Sequence, residues 1–139
     1  MSTVRLLLIG IFILVGPLSA LHASEIGTLG KYGVRHVTAP QAAELIDTQK
    51  ELVILDVRRP DEFKGGHVEG AINIDYHGSD FAALIGELDP DRHYLLYCRS
   101  GFRSGRTLPL MVRAGLTNIS HLDGGINTWN AAGLPVITE

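Results

Sequence analysis

Leu95-Leu96-Tyr97-Cys98-Arg99-Ser100-Gly101-Phe102-Arg103-Ser104-Gly105-Arg106 decides how this chain is read. The apolar residues up to Tyr97 predict a short buried strand. Ser104 onward predicts a helix through Leu108, Leu110, Met111, Val112 and Ala114, closed at Gly115. Cys98, the only cysteine, therefore stands where a strand gives way to a helix. The first N–H groups of a helix lack intrahelical partners and carry the positive end of its dipole, so an anion is favoured there. A thiolate is the anion available. A helix start with nearby arginines lowers a cysteine pKa and makes the sulfur nucleophilic. Gly101 lets the loop curl so that successive N–H groups point inward as an anion nest. Arg99 and Arg103 are placed either to neutralise Cys98 or to hold an anionic substrate.

Working outward, a chain of 139 residues with 45% hydrophobic and 19% charged residues has the size of one domain with a real core. It contains no internal repeat and no low-complexity run. A formal charge of -3 and a single basic loop exclude the clustered basic face that nucleic-acid binding needs.

The N-terminus reads separately. Arg5 precedes a continuous apolar run from Leu6 to Val15, the length of a signal-peptide core rather than of a membrane span, and Gly16-Pro17 breaks it. Ser19, Ala20 and Ala23 are small residues suited to cleavage, with Ala23/Ser24 the preferred site and Ala20/Leu21 the alternative. Residues 1–23 are expected to be a signal peptide that leaves no stable membrane anchor. The mature protein is then periplasmic or secreted, and a retained N-terminal anchor is the competing reading. An unpaired thiol in an exported domain is easier to understand if it reacts, because such domains usually carry cysteines in pairs.

Residues 24–33 are expected to be a surface arm, and 34–139 the folded domain. Gly27-Thr28-Leu29-Gly30-Lys31 lacks the spacing of a phosphate loop. Val34 to Val37 alternates like a strand, and Thr38 with Pro40 starts a short amphipathic helix. Leu52 to Leu55 predicts a central strand covered on both faces, delivering Asp56-Val57-Arg58 at its C-terminal end, the edge where α/β sheets assemble their sites. Asp56 is read either as a brace of the Cys98 loop or as a turn-former. Further strands are expected at 71–74, 94–97 and 118–122, with helices at 60–63, 81–88 and 126–132. This alternation predicts a three-layer α/β domain with a mainly parallel central sheet flanked by helices.

With those pieces placed, the chain resembles a single-domain rhodanese. The resemblance lies in Leu55-Asp56-Val57-Arg58, Glu62-Phe63, Gly66-His67-Val68-Glu69-Gly70-Ala71-Ile72-Asn73-Ile74, Tyr97 to Ser104, and Leu122-Asp123-Gly124-Gly125 followed by Trp129. It covers nearly the whole of the chain after the apolar leader and is specific as a set. Glu69 departs from the pattern, where many relatives have proline.

The resemblance implies a thiosulfate sulfurtransferase: Cys98 would take a sulfane sulfur from thiosulfate or a similar donor, hold it as a persulfide, and pass it to cyanide or a thiol. It implies that the backbone from Arg99 through Ser100, Gly101, Phe102 and Arg103 to Ser104 cradles the persulfide, and that Arg99 and Arg103 bind the sulfonate end of the donor. Asp56 and Arg58 would support the loop, and His67 would be a structural hydrogen-bonder. The alternative is a persulfide carrier or rhodanese-like binding module without turnover. A cysteine phosphatase is disfavoured, because those enzymes have five residues between Cys and Arg and here Ser104 occupies the Arg position.

No His, Asp or Glu lies within a few residues of Cys98. A nucleophile activated by fixed dipoles and cations needs none, and a base from a distant segment stays open. His36, His77, His93 and His121 show no metal-ligand spacing, so no metal and no cofactor is assigned.

Overall fold

A computed structural model describes residues 26–139; the expected signal peptide lies outside the described residues. The elements follow in chain order. Strands are β1 (Thr28–Leu29), β2 (Arg35–Val37), β3 (Val53–Asp56), β4 (Ile72–Asn73), β5 (Tyr94–Tyr97) and β6 (Ile119–Leu122). Helices are α1 (Ala39–Thr48), α2 (Pro60–Lys64), α3 (Phe81–Gly86), α4 (Phe102–Arg113) and α5 (Gly125–Ala131), with a short 3₁₀ turn at Lys31–Gly33.

Among the described residues six strands form one sheet in the order β1-β2-β6-β5-β3-β4. Every pair is parallel except β1 with β2. Parallel neighbours need crossover connections, and the helices that supply them cover both faces. This is the three-layer α/β arrangement expected.

Alternation along β5 explains the layering. Leu95 and Tyr97 point into a core built with Ala42 and Leu45 of α1 and Ile126 and Trp129 of α5. Tyr94, Leu96 and Cys98 point into the opposite core, with Phe81 and Ile85 of α3 and Leu108 and Met111 of α4. A period of two thus puts the cysteine on the α3/α4 face.

Two expectations change at the edges. Residues 26–33, expected as an arm without regular structure, contribute β1, which pairs antiparallel with β2, while Ile26 is buried in the core. Helix α4 begins at Phe102, two residues before the expected Ser104, because Gly101 adopts φ +100° and turns the chain into the helix at once. The start of α1 is as read, with Thr38 capping the amide of Gln41 and the Gln41 side chain returning a bond to the Thr38 amide.

Candidate active site

Cys98 is 1% exposed at the end of β5. The Gly101 N–H and the Ser104 hydroxyl both donate to its Sγ at 3.2 Å. Burial pushes the thiol pKa up, but donation from the Ser104 hydroxyl and from the amides of Ser104, Gly101 and Ser100 outweighs it, so the thiol lies below its ordinary range. Of the nest amides expected from the loop, the Gly101 N–H is the one hydrogen-bonded to the sulfur among the described residues. Its direction of action is toward a thiolate.

The start of α5 pins this loop from the far side. Ile126 N–H donates to the Cys98 carbonyl at 2.9 Å, and Asn127 N–H donates to the Arg99 carbonyl at 3.1 Å. That approach requires glycine before Ile126: a Cβ on Gly125 would fall 2.4 Å from the Cys98 carbonyl oxygen, and its φ is +60°. Gly125 is thereby explained by close packing on the cysteine loop, whereas Gly124, at φ +76°, is fixed by the turn and by Thr128, whose side chain a Cβ there would overlap.

The arginines separate into different roles. Arg103, expected to hold substrate, instead forms a two-pronged pair with Glu62 of α2, at 2.7 and 2.8 Å. The Arg103 hydrogen bond draws the Glu62 carboxyl down to about 2 against the opposing effect of burial. A guanidinium so engaged fixes α4 to α2 and has its fork already filled. Arg99 is exposed, as are Ser100 and Phe102, and Arg106 stacks over the Phe102 ring at 5.2 Å. A cleft of about 360 Å³ opens between α2 and α5, lined by Arg58, Glu62, Arg99, Asn127 and Asn130 among others.

Asp56 and Arg58 sit next door at the end of β3, both buried. Arg58 donates to Asp56 through its backbone N–H at 2.9 Å, its Nε at 3.0 and 3.1 Å, and a terminal nitrogen at 2.7 Å. That terminal nitrogen also reaches the Gly66 carbonyl at 2.7 Å. The pair was expected to support the Cys98 loop; it is hydrogen-bonded to the Gly66 loop and stands beside Tyr97, the residue before Cys98. Asp56 is in register with Tyr97 of β5, and the Arg58 guanidinium lies 5.7 Å from the Tyr97 ring centroid. His67 is buried, donates its Nδ1–H to the Phe63 carbonyl at 2.8 Å, and stacks on the Phe63 ring at 3.6 Å between centroids.

The residue that sequence reasoning missed is His121. Strand β6 lies between β2 and β5, which puts His121 in register with His36 on one side and Leu96 on the other. It therefore shares the Cys98 face of the sheet. Its Nε2 lies 2.7 Å from the Ser104 hydroxyl that donates to Cys98. Its Nδ1 is buried without a hydrogen bond, 3.4 Å from Asp123 Oδ1 in a geometry that suits an ion pair better than an aligned bond. Asp123 Oδ1 in turn lies 2.7 Å from His36 Nδ1.

The donor atoms of His36, His121 and Asp123 lie within 4.8 Å of one another. Two tetrahedral ligands about 2.0 Å from one metal keep about 3.3 Å between them. The 2.7 Å separation of His36 and Asp123 is that of a hydrogen bond, so the cluster is read as hydrogen-bonded rather than metal-binding. The only sequence signal was a histidine in the short strand directly before Asp123-Gly124-Gly125.

Residues 38–132 match the Rhodanese-like domain. The chain belongs to the rhodanese-like family. Among its relatives is the thiosulfate sulfurtransferase GlpE of Shewanella oneidensis, 29% identical over 98 residues, covering 70% of this chain and 94% of that protein. The uncharacterised protein YqhL of Bacillus subtilis is 40% identical over 76 residues, covering 55% of this chain and 59% of YqhL. Matches to slr1261 of Synechocystis and YqhL span a little over half of those proteins. The rhodanese-related protein of Thermoplasma volcanium superposes with a TM-score of 0.67 at 33% identity, covering 76% of this chain and 99% of that one. These likenesses place Cys98 in a rhodanese-like fold. Among the described residues no helix is long and apolar enough to cross a membrane.

Proposed function

We propose that this rhodanese-like protein is a sulfurtransferase that moves a sulfane sulfur from thiosulfate to cyanide or a thiol through a persulfide on Cys98. The observation that carries the reading is the pair of donors, Gly101 N–H and Ser104 O–H, both 3.2 Å from the Cys98 sulfur at the head of a 12-residue helix. In the first half-reaction the thiolate attacks the outer sulfur of thiosulfate. A new S–S bond forms at Cys98, the S–S bond of thiosulfate breaks, and its electron pair leaves with sulfite. In the second, cyanide or a thiolate attacks the terminal sulfur, and the Cys98–S bond to it breaks to regenerate the thiolate. The same loop donors serve the anion at both stages, preorganised before the charge arrives.

Arg99 is the side chain suited to meet the donor's sulfonate, being exposed and lining the cleft, whereas Arg103 is held by Glu62. The apolar run from Leu6 to Val15 supports a periplasmic or secreted setting. Fractionation of cells expressing the full chain checks that location, and protein found only in the cytosol would end it.

Thiocyanate formation from thiosulfate and cyanide, with intact mass after thiosulfate alone, tests the activity. Turnover with one added sulfur per chain is expected. Loading without turnover would replace the enzyme by a persulfide carrier, and neither signal would remove thiosulfate as the donor.

A further inference from the structure

We propose that His121 is the proton acceptor that converts Cys98 from thiol to thiolate, working through the Ser104 hydroxyl and oriented by Asp123. The assignment rests on Cys98 being the sulfur-carrying nucleophile, and it adds a base from the neighbouring strand β6, on the same face of the sheet, to a loop that has none of its own.

The reasoning follows the hydrogens. The Ser104 hydroxyl has a single proton and two close neighbours, Cys98 Sγ at 3.2 Å and His121 Nε2 at 2.7 Å. With Cys98 as a thiol, S–H points at Oγ, Oγ–H points at Nε2, and the imidazole proton sits on Nδ1, facing Asp123. With Cys98 as a thiolate, Oγ–H points at the sulfur and Nε2–H points at Oγ.

Passing between these states breaks the S–H bond and forms an Oγ–H bond, while the original Oγ–H bond breaks and an Nε2–H bond forms. Serine ends as it began. The sulfur has lost a proton, the imidazole has gained one, and the net charge of the group is unchanged.

The surroundings fit that traffic. Cys98 is 1% exposed and Asp123 is 55% exposed at its side chain, so the chain Cys98, Ser104, His121, Asp123 runs from a buried sulfur to solvent. The unbonded Nδ1 faces a carboxylate, which is unfavourable for a bare lone pair and favourable for an N–H. His36, from β2, is the other titratable group against the ring, edge-on at 5.3 Å, and its bond to Asp123 holds the carboxylate in place.

Gly101, from the loop, packs near His121 Cε1 and brings no charge. Burial lowers the His121 pKa, with His36 adding to the effect and Asp123 opposing it. A neutral base at rest is the form that accepts a proton.

Iodoacetamide alkylation of Cys98, followed against pH on the folded protein, reads the thiolate without any sulfur donor. His121→Gln is expected to raise the midpoint by about one unit, a roughly tenfold slower reaction below it. Coupling between two titrating groups is reciprocal. In Cys98→Ala, NMR titration of His121 should therefore give a midpoint lowered by a similar amount. In Ser104→Ala the further change His121→Gln should have no added effect on alkylation, because the link is already cut.

An unchanged alkylation midpoint in His121→Gln would overturn the proposal. So would a His121 midpoint insensitive to Cys98→Ala, a measurement that stands even where His121→Gln does not fold. Thiocyanate turnover is a separate readout: its loss with the coupling intact would count against the sulfur chemistry, and the reverse against the proton route.

Discussion

Two polar groups lie at the C-terminal edge of the sheet, one wholly buried and one running out to solvent at Asp123, and they differ in what their protons can do. At the end of β3, Asp56 and Arg58 share four hydrogen bonds, and the arginine spends a further one on Gly66. At the end of β5, Cys98, Ser104, His121 and Asp123 form an open chain whose members can exchange hydrogens. A guanidinium does not give up its proton in a protein, so the first group has one state and acts as a brace. Thiol, hydroxyl and imidazole trade protons readily near neutrality, so the second has two. A sheet edge can hold a rigid element and a switchable one a single strand apart, and the choice of cation, Arg or His, decides which is which.

Substitutions can break that contrast. Cys98→Ser should have the largest effect, lowering thiocyanate formation by at least about a thousandfold while leaving the urea midpoint nearly unchanged. A variant that retained turnover would defeat the nucleophile assignment. Asp56→Asn attacks the brace and should act in the opposite sense. Leaving the Arg58 charge buried without its partner costs about 3–5 kcal/mol, visible in denaturant unfolding. A loss below about 1 kcal/mol would show that the pair is not the brace described here.

Glu62→Gln probes a partly exposed ion pair lying between these extremes. The folded Glu62 carboxyl is held near 2 against an ordinary 4.5, so its stabilisation is present above about 4.5 and lost as pH falls toward 2. The side chain is 23% exposed, and after screening by solvent the variant should lose about 1 kcal/mol at neutral pH. Its acid unfolding should be flatter in that window, and an identical pH profile would contradict the pairing. Arg99→Ala should have the smallest effect, a several-fold rise in the thiosulfate KM with kcat kept. A fall in kcat alone would mean that the arginine acts in the transition state.

Much of this architecture was legible from local signals. The apolar run at 52–55 and the strand feeding Cys98 could be read because parallel strands buried on both faces leave continuous hydrophobic stretches. Thr38 marked its helix because a capping side chain is a local interaction. The nest was legible for the same reason, since Gly101 and Ser104 lie within one turn of the sulfur. Arg103 misled because its partner Glu62 stands 41 residues away, and a charged side chain beside a cysteine looks free until the neighbouring helix is in place. His121 stayed hidden because its relation to Ser104 comes from strand order: only when β6 inserts between β2 and β5 does the ring face the loop. Residues 28–29 were too short and too exposed to announce a strand, and pairing with β2 supplies what their pattern lacks.

That same strand order bears on when the protein becomes itself. Strand β2 leaves the ribosome early, yet its parallel partner is β6, with Arg35 opposite Ser120. The β3–β5 pair can assemble while β6 is still being made, but β2 must wait for β6, and closing so long a loop comes at an entropic penalty paid before any contact rewards it. The contact of His36 with Asp123 lies across that final seam. A nascent chain stopped before residue 119 would hold its cysteine loop without β6 or α5 behind it, so competence at the sulfur would wait until both had been made.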